Sequence, residues 1–434
     1  MTMTSNPYLA GNFGPVSEEI TAFDIEVTGT IPDGLDGRLI RNGPNPRGEV
    51  DPAQHHWFVG DGMVHGLRLR DGKAEWYRNR FVGGDGMGQG EGGGGPNTNV
   101  IGHAGRTWAI VESGTLPVEL TDELETIGTN GFDGTLAEGY TAHPKRDPHT
   151  GELHAVSYLW AWDHVRYTVV GVDGRVRREV HVPVVDGPMM HDCAITENHV
   201  VLFDLPVTFD LDAAMAGTRF PYAWNPDHGA RVGLLPREGE ADAVQWFDVG
   251  LCYVFHPLNA YETEAGEVVV DVVRHPKMFD QDRRGPNEGL TRLDRWTIDP
   301  AAGKVLEATL DDTSVELPRH DERLLGRPYR YGYAMEVGSQ FGHDGAVKYD
   351  LATGTTERHD FGAGRMTLEP VFVPRSADAA EDEGWILSYV YDATTDRSDV
   401  VILAADDFTG DPVATIHLPQ RVPFGFHGNW VPTS

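Results

Sequence analysis

Short stretches in which apolar and polar residues alternate recur along the chain, and turn sequences separate them. The stretches on either side of Asp71-Gly72 and of Asp173-Gly174 alternate in this way, and Asp-Gly between two such stretches is typical of a β-hairpin. In a second kind of turn, an aspartate precedes a glycine by three or four residues, and this glycine can adopt positive φ. Such turns begin at Asp147, Asp299, Asp350 and Asp407. The pattern predicts an all-β protein.

The hairpin signals run from residue 71 to residue 411, and no long helical stretch divides them. Recurrent hairpins at irregular spacing favour a β-propeller with decorated blades over a regular kelch or WD40 array. Length alone would suggest about three domains, but the continuous pattern predicts a single domain over residues 1–434. We expect short helices only at residues 116–127 and 209–215.

Glycine is abundant, with 52 residues among 434, which agrees with many tight turns. Nine of these glycines lie between Gly83 and Pro96. Such a segment cannot pack a core of its own. We interpret it as a surface insertion or, alternatively, as a gate over a cleft.

Charge and cysteine content exclude several classes of protein. The formal net charge is −32, which repels phosphate backbones and anionic membranes, so we expect no nucleic-acid partner. Two cysteines cannot form a disulfide framework or a thiolate zinc site. We expect two free, buried thiols, with one disulfide as the alternative. Residues 1–27 lack the features of a signal peptide and no apolar run is long enough to span a bilayer, so we expect a cytoplasmic protein.

Four histidines stand beside apolar or aromatic residues, namely His143, His191, His256 and His427. Histidines on strands of different blades can converge on the axis of a propeller, where neutral imidazoles could bind a metal. Their separation along the chain matches no local zinc pattern. For each one taken alone, a hydrogen-bonded structural role fits the sequence equally well.

Several motifs together resemble the carotenoid cleavage oxygenase family. GRLIRNGPNP at residues 37–46 and HHWFVGDGMVHGLRLRDGKAEWYRNRFV at residues 55–82 carry the resemblance at one end. NTN, TAHPK, MMHD, FHPLNAYE, LEPVFVPR and GFHGNW follow in the order expected for the family. The resemblance implies a seven-bladed β-propeller with a small helical or loop cap over an iron centre.

The resemblance also implies a set of site residues. One ferrous ion, Fe(2+), would be bound by His143, His191, His256 and His427. Three glutamates would accept the outer N–H groups of ligand histidines and fix their tautomers, namely Glu112, Glu316 and Glu369. The alternative for these glutamates is solvated surface charge. Thr98 matches a threonine near an open iron position, or is an ordinary strand residue, and we expect Asp192 to be structural.

The reaction implied by the resemblance is cleavage of a conjugated C=C bond by O2 into two carbonyl products. We favour a carotenoid or apocarotenoid substrate, and the alternative is a stilbene or phenylpropanoid alkene. Val111 stands where stilbene-cleaving relatives have lysine, which disfavours a 4-hydroxystilbene. A further alternative is a non-redox binding propeller or an isomerase.

Two sequence features bear on the surroundings of the site. Aromatic residues near the histidines fit either an apolar tunnel or a packed core, namely Trp160, Trp162, Phe255, Tyr331, Phe424 and Phe426. Apolar residues between Leu205 and Leu235 could contact a membrane, but aspartates interrupt them. With the negative net charge, we expect at most weak and transient membrane contact.

Overall fold

The computed structural model describes residues 6–83, 95–338 and 345–433. The predicted insertion or gate lies, from residue 84 to residue 94, outside the described residues. The described part of the chain is nearly all β, as predicted, with 33 strands and one α-helix.

The strands, in chain order, are β1 (Thr21–Ala22), β2 (Val27–Gly29), β3 (Gly37–Pro44), β4 (Gly62–Arg70), β5 (Lys73–Phe81), β6 (Asn99–His103), β7 (Arg106–Ile110), β8 (Val118–Leu120), β9 (Thr126–Thr129), β10 (Lys145–Arg146), β11 (Leu153–Ser157), β12 (His164–Val170), β13 (Val176–Pro183), β14 (Cys193–Ile195), β15 (His199–Asp204), β16 (Val207–Phe209), β17 (Tyr222–Trp224), β18 (Arg231–Pro236), β19 (Gln245–Asp248), β20 (Tyr253–Glu262), β21 (Val268–His275), β22 (Arg292–Asp299), β23 (Lys304–Asp311), β24 (Val315–His320), β25 (Tyr331–Glu336), β26 (Gly345–Asp350), β27 (Thr355–Asp360), β28 (Arg365–Thr367), β29 (Val371–Pro374), β30 (Gly384–Asp392), β31 (Arg397–Ala404), β32 (Ala414–His417) and β33 (Gly428–Pro432). The helix α1 is Leu211–Met215, and short 3-10 turns occupy Pro7–Leu9, Gly11–Phe13, Pro226–His228, Ala241–Ala243, Glu322–Leu324 and Ala405–Asp407.

The chain comprises two compact units. The first is Met1–Val111, Pro117–Thr129 and Arg330–Ser434, and the second is Glu112–Leu116 and Asn130–Tyr329. Seven sheets of the described residues have four to six strands each. They are β1-β5-β4-β3-β33, the six strands β2 and β28–β32, and the four-stranded sheets β6–β9, β10–β13, β14-β15-β18-β19, β20–β23 and β24–β27. These seven sheets are the blades of the predicted seven-bladed β-propeller, and this fold class is confirmed.

The predicted turns join the strands of these sheets. Asp71 (φ 49°) and Gly72 (φ 68°) form the two-residue link between β4 and β5, and positive φ at both positions is the type I′ geometry. In three of the longer turns, the glycine amide donates to the carbonyl of the aspartate four residues earlier: Gly151 to Asp147 (2.8 Å), Gly303 to Asp299 (2.9 Å) and Gly354 to Asp350 (2.8 Å). Each glycine has positive φ, which explains the recurrence of this residue.

The two helix predictions have different outcomes. The helix expected at residues 116–127 is wrong, because Val118 and Leu120 pair with β7 as strand β8. Leu124 has φ 71°, which an α-helix does not accommodate. The helix expected at residues 209–215 is confirmed over Leu211–Met215, where the Asp210 side chain accepts the amide of Ala213 at the amino end.

Segments from both ends of the described chain share sheets in the first unit. β3 pairs with β33 over Gly37–Arg41, and β2 pairs with β32. Buried apolar side chains of these sheets form a hydrophobic core that includes Leu39, Leu67, Leu387 and Ile402. Because His427 immediately precedes β33, the pairing with β3 fixes the backbone that carries this histidine.

The structure also bears on the cysteines and on membrane-spanning segments. Cys193 and Cys252 are free and buried, so the prediction of two free thiols is confirmed. Within the described residues, no helix has the length and apolar character needed to cross a membrane.

Candidate metal centre

Three of the singled-out histidines occupy equivalent places in the second unit. His143 and His191 each lie two residues before the first strand of a four-stranded sheet, β10 and β14, and His256 lies near the start of β20. Pro257 follows His256 and has no N–H to donate. The β20–β21 pairing is accordingly irregular on both sides of Pro257. Pro257 therefore interrupts the regular strand pairing next to His256.

The three imidazole rings converge. The centroids of His143 and His191 are 4.3 Å apart, those of His191 and His256 are 5.1 Å apart, and those of His143 and His256 are 5.3 Å apart. The Nε2 atoms of His191 and His256 lie 3.3 Å from each other. Residues far apart in sequence thus present ring nitrogens to one point of the second unit.

Glu112 lies against His191. Its Oε2 is 2.5 Å from His191 Nδ1, and Oε1 accepts a hydrogen bond from the hydroxyl of Tyr158. The Tyr158 phenol is buried, and burial raises its pKa well above the usual range, so it stays protonated and donates. One ligand atom each from Glu112, His143 and His191 lie within 4.8 Å of one another.

Glu316 lies against His256. Its Oε2 is 2.6 Å from His256 Nδ1, and its Oε1 is 2.6 Å from His275 Nε2. Burial alone would raise the pKa of Glu316, but its interactions with His256 and His275 lower this pKa well below the usual range. Glu316 is therefore a carboxylate that accepts from both rings.

The donor set fits a divalent transition-metal ion. An imidazole that donates its Nδ1 proton to a carboxylate is left with a lone pair on Nε2. In His191 and His256 these lone pairs face each other at 3.3 Å, which is repulsive unless a proton or a cation lies between them. Metal–imidazole distances of about 2.0–2.1 Å bring two nitrogen ligands of one ion to a similar separation. Glu112 and Glu316 supply a charge that matches a divalent cation.

The first unit carries a similar histidine–carboxylate pair. Glu369 Oε1 is 3.0 Å from His427 Nδ1, and Oε2 accepts the amide of Gly428 at 2.7 Å. The Glu369 side chain is only 3 % exposed, so it is not a solvated surface charge. The amide of His427 donates to the carbonyl of Thr98 (3.1 Å), and the Thr98 hydroxyl donates to Asn97 Oδ1 (2.9 Å).

Asp192 has a structural environment. It is buried and accepts a hydrogen bond from Lys145 Nζ (2.8 Å) and from the amide of Cys193 (2.6 Å), while His143 Nδ1 is 4.0 Å away. Burial raises the pKa of Cys193 to about 12, so this side chain remains a thiol and is a poor metal ligand.

Three of the aromatic residues singled out in the sequence have different environments. Phe255 meets the ring of His191 edge-on at 4.9 Å, so it lines the histidine cluster. Phe424 belongs to the apolar core of the first unit. Trp160 is 57 % exposed and stacks on Phe209, so it is neither core nor cluster.

Sequence reasoning missed two residues of this site, Tyr158 and His275. His275 is followed by proline, as are His143 and His256, so the His-Pro dipeptide was a signal that could have found it. Tyr158 carries no comparable signal, because its contact with Glu112 joins residues 46 positions apart through the fold alone.

Comparisons with known proteins identify the family to which this chain belongs. The family model described as retinal pigment epithelial membrane protein matches residues 13–432. The chain is 47% identical to a carotenoid cleavage oxygenase of Mycobacterium tuberculosis, over 99% of this chain and 98% of that protein. It is 32% identical to isoeugenol monooxygenase of Pseudomonas nitroreducens, over 99% of this chain and 98% of that protein. The crystal structure of Pseudomonas brassicacearum lignostilbene dioxygenase superimposes with a TM-score of 0.89 at 28% identity, over 100% of both chains. The chain therefore belongs to the carotenoid cleavage oxygenase family, as its motifs predicted.

Proposed function

We propose that this protein is a non-haem Fe(II) dioxygenase that cleaves a conjugated C=C bond of a carotenoid or apocarotenoid with O2 to give two carbonyl products. The observation that carries the proposal is the convergence of His143, His191 and His256, two of which have Nδ1 within 2.6 Å of a largely buried carboxylate oxygen. Similarity to a carotenoid cleavage oxygenase, at 47% identity over nearly the whole chain, supports the substrate class.

His427 is the fourth ligand in this proposal. The support is chemical, because its Nδ1 faces buried Glu369 in the same way that the Nδ1 atoms of His191 and His256 face their carboxylates. Four neutral imidazoles would leave the ion its full charge, unlike a site with two histidines and one carboxylate. Bound Fe(II) would supply the binding and activation of O2.

The protein side chains then have separate tasks. Glu112, Glu316 and Glu369 hold the Nδ1 protons, so that each Nε2 offers a lone pair. Phe255, packed edge-on against His191, excludes water from that side of the cluster. For Thr98 we propose a role beside the iron, supported by its backbone contact with His427. These groups bind, orient and keep the site dry, and none has to act as a general base.

The second candidate substrate is a phenylpropanoid or stilbene alkene. Similarity to an isoeugenol monooxygenase over nearly all of both chains, and to a lignostilbene dioxygenase in structure, favours it. Val111 disfavours a 4-hydroxystilbene, because no lysine stands at that position. An isomerase or a non-redox binding protein remains the alternative from another class.

Metal analysis tests the enzyme class. Purified protein is loaded anaerobically with Fe(II), desalted and analysed for iron, and we expect close to one ion per chain. Less than about 0.1 ion per chain would refute the proposal. We expect His191→Ala to lose the iron. His199→Ala is the matched control, since His199 also contacts a glutamate, Glu262, at 3.0 Å but is not a proposed ligand.

A substrate panel tests the reaction. Iron-loaded protein is incubated with apocarotenals, carotenoids, stilbenes and isoeugenol, and the products are identified by mass. We expect two carbonyl fragments from an apocarotenal or carotenoid. Under 18O2, with rapid reduction of the products to alcohols, a dioxygenase labels both fragments. Label in one fragment would instead indicate a monooxygenase, and an unbroken product of unchanged mass would indicate an isomerase.

We also propose a cytoplasmic location with at most weak membrane contact. Free cysteines support the location, since disulfides are rare in the cytosol. Leu211 and Met215 are 60 % and 80 % exposed, and they offer an apolar surface beside Asp212. Flotation with neutral and anionic vesicles tests the contact. We expect slight binding to neutral vesicles and none to anionic ones, and strong binding to either would contradict this expectation.

A further inference from the structure

Glu316 is shared between two histidines, and only one of them is a proposed metal ligand. The other is His275, whose Nε2 is 2.6 Å from Glu316 Oε1, while the ligand His256 has its Nδ1 2.6 Å from Oε2. The contacts are equal in length and lie on opposite oxygens of one carboxylate. His275 is thus joined to the metal centre through a single intervening group.

The fold holds His275 firmly in this place. It is the last residue of β21, lies opposite Tyr253 of β20 in the strand register, and is followed by Pro276. Its side chain is 6 % exposed, and the ring of Phe255 packs edge-on against it at 5.1 Å. A buried imidazole in such an apolar position needs a polar partner, and Glu316 supplies one.

Glu316 is itself held by its own backbone. The amide of Leu317 donates to Glu316 Oε2 at 2.6 Å, and Leu317 has φ 51°, a conformation that non-glycine residues adopt rarely. The carboxylate therefore accepts three hydrogen bonds, two on Oε2 and one on Oε1. His275 is the donor on Oε1, so its loss would remove the hydrogen bond on that oxygen and leave the carboxylate held through Oε2 alone.

We propose that His275 is a positioning residue of the metal centre, acting through Glu316 to hold His256 in the orientation and tautomer that bind the ion. The proposal rests on the proposed function, because it requires His256 to be a metal ligand. It adds an outer layer to the site in which imidazole, carboxylate and imidazole are linked in series, and it gives a task to a histidine that the reaction itself does not use.

The test measures metal affinity rather than turnover. Co(II) and Fe(II) dissociation constants are obtained for the full-length protein by competition with a chromophoric chelator. The visible absorption of the Co(II) form reports the ligand field. His275→Phe keeps the ring and its apolar contacts but removes the donor, whereas His275→Gln retains an N–H. We expect His275→Phe to weaken metal binding about tenfold and to shift the Co(II) bands, and His275→Gln to stay close to the unchanged protein.

The control variant is His154→Phe. His154 is also a buried histidine of the second unit, but it contacts Tyr167 (2.7 Å) and Arg237 (2.7 Å). We expect this variant to lose stability without a change in metal affinity. If His275→Phe does not fold, as judged by circular dichroism, His275→Leu takes its place. Unchanged affinity and bands in the folded donorless variant would overturn the inference. Absence of metal binding by the unchanged protein would instead refute the proposed function.

Discussion

Replacement of Glu369 by glutamine provides a quantitative test of the carboxylate–histidine pairs. Both oxygens of this buried side chain accept hydrogen bonds, Oε1 from His427 Nδ1 and Oε2 from the Gly428 amide. Glutamine has the same shape but offers one oxygen and one NH2 group. Either choice of amide orientation therefore places an N–H against another N–H.

The expected magnitude follows from these two bonds. Loss of one charge-assisted hydrogen bond costs about 1.5–3 kcal/mol, and a buried donor left unpaired costs about 1–3 kcal/mol more. The substitution also removes a buried charge and its desolvation cost, which offsets part of this loss. We therefore expect the free energy of unfolding to fall by roughly 2–3 kcal/mol. Misorientation of His427 should also weaken Fe(II) binding about 10–100-fold, which corresponds to about 1.4–2.8 kcal/mol.

Urea unfolding followed by circular dichroism measures the first quantity, and chelator competition measures the second. Glu357→Gln, at an exposed position on β27, is the control and should change neither. A Glu369→Gln protein with the stability and iron affinity of the unchanged protein would refute the role of this carboxylate. Lower stability with unchanged affinity would show that Glu369 supports the fold but does not tune metal binding by His427.

Three other predictions concern side chains with defined partners. Tyr158→Phe removes the hydroxyl that donates to Glu112 and should weaken Fe(II) binding roughly tenfold, whereas the control Tyr253→Phe, whose hydroxyl donates to a backbone carbonyl at 2.8 Å, should leave it unchanged in the same competition assay. The hydrogen bond to Asp204 raises the pKa of His228 above its usual value. Protonated His228 therefore stabilises the fold fully below about pH 6.5, and this stabilisation is lost as the pH rises through the folded-state pKa. The difference in Tm between the unchanged protein and His228→Gln should shrink from pH 6 to pH 9, and a constant or growing difference would contradict this. Both cysteines are buried, with burial raising each pKa to about 12, so a thiol reagent should label them only after denaturation, and rapid labelling of the native protein would be evidence against the burial.

Local sequence was sufficient where the backbone conformation is decided by one or two residues. The turn at Asp71-Gly72 was predictable because positive φ at consecutive positions restricts the choice of residues. The segment at residues 116–127 was mispredicted because its alternative as strand β8 is stabilised by pairing with β7, a partner that a local pattern does not contain.

The metal centre shows the same limit. His143, His191 and His256 were identified through motifs, while their convergence depends on three separate sheets. Tyr158 was missed because it acts on a carboxylate 46 residues away. His275 acts on a carboxylate 41 residues away, and the His-Pro dipeptide was its only signal. Residues that contact a ligand histidine only through a carboxylate are hard to identify from a single sequence.

The pairing of β3 with β33 has a consequence for biosynthesis. Ribosomes release the chain from its amino end, so β3 emerges long before the strand that covers its edge. Contacts in this unit join residues as far apart as Asn12 and Val422, 410 positions along the chain. Until β33 has been synthesised, the exposed edge of β3 can pair with other nascent chains. We therefore expect this unit to fold slowly, to need protection from aggregation during synthesis, and to acquire its histidine–carboxylate pair only in the last step.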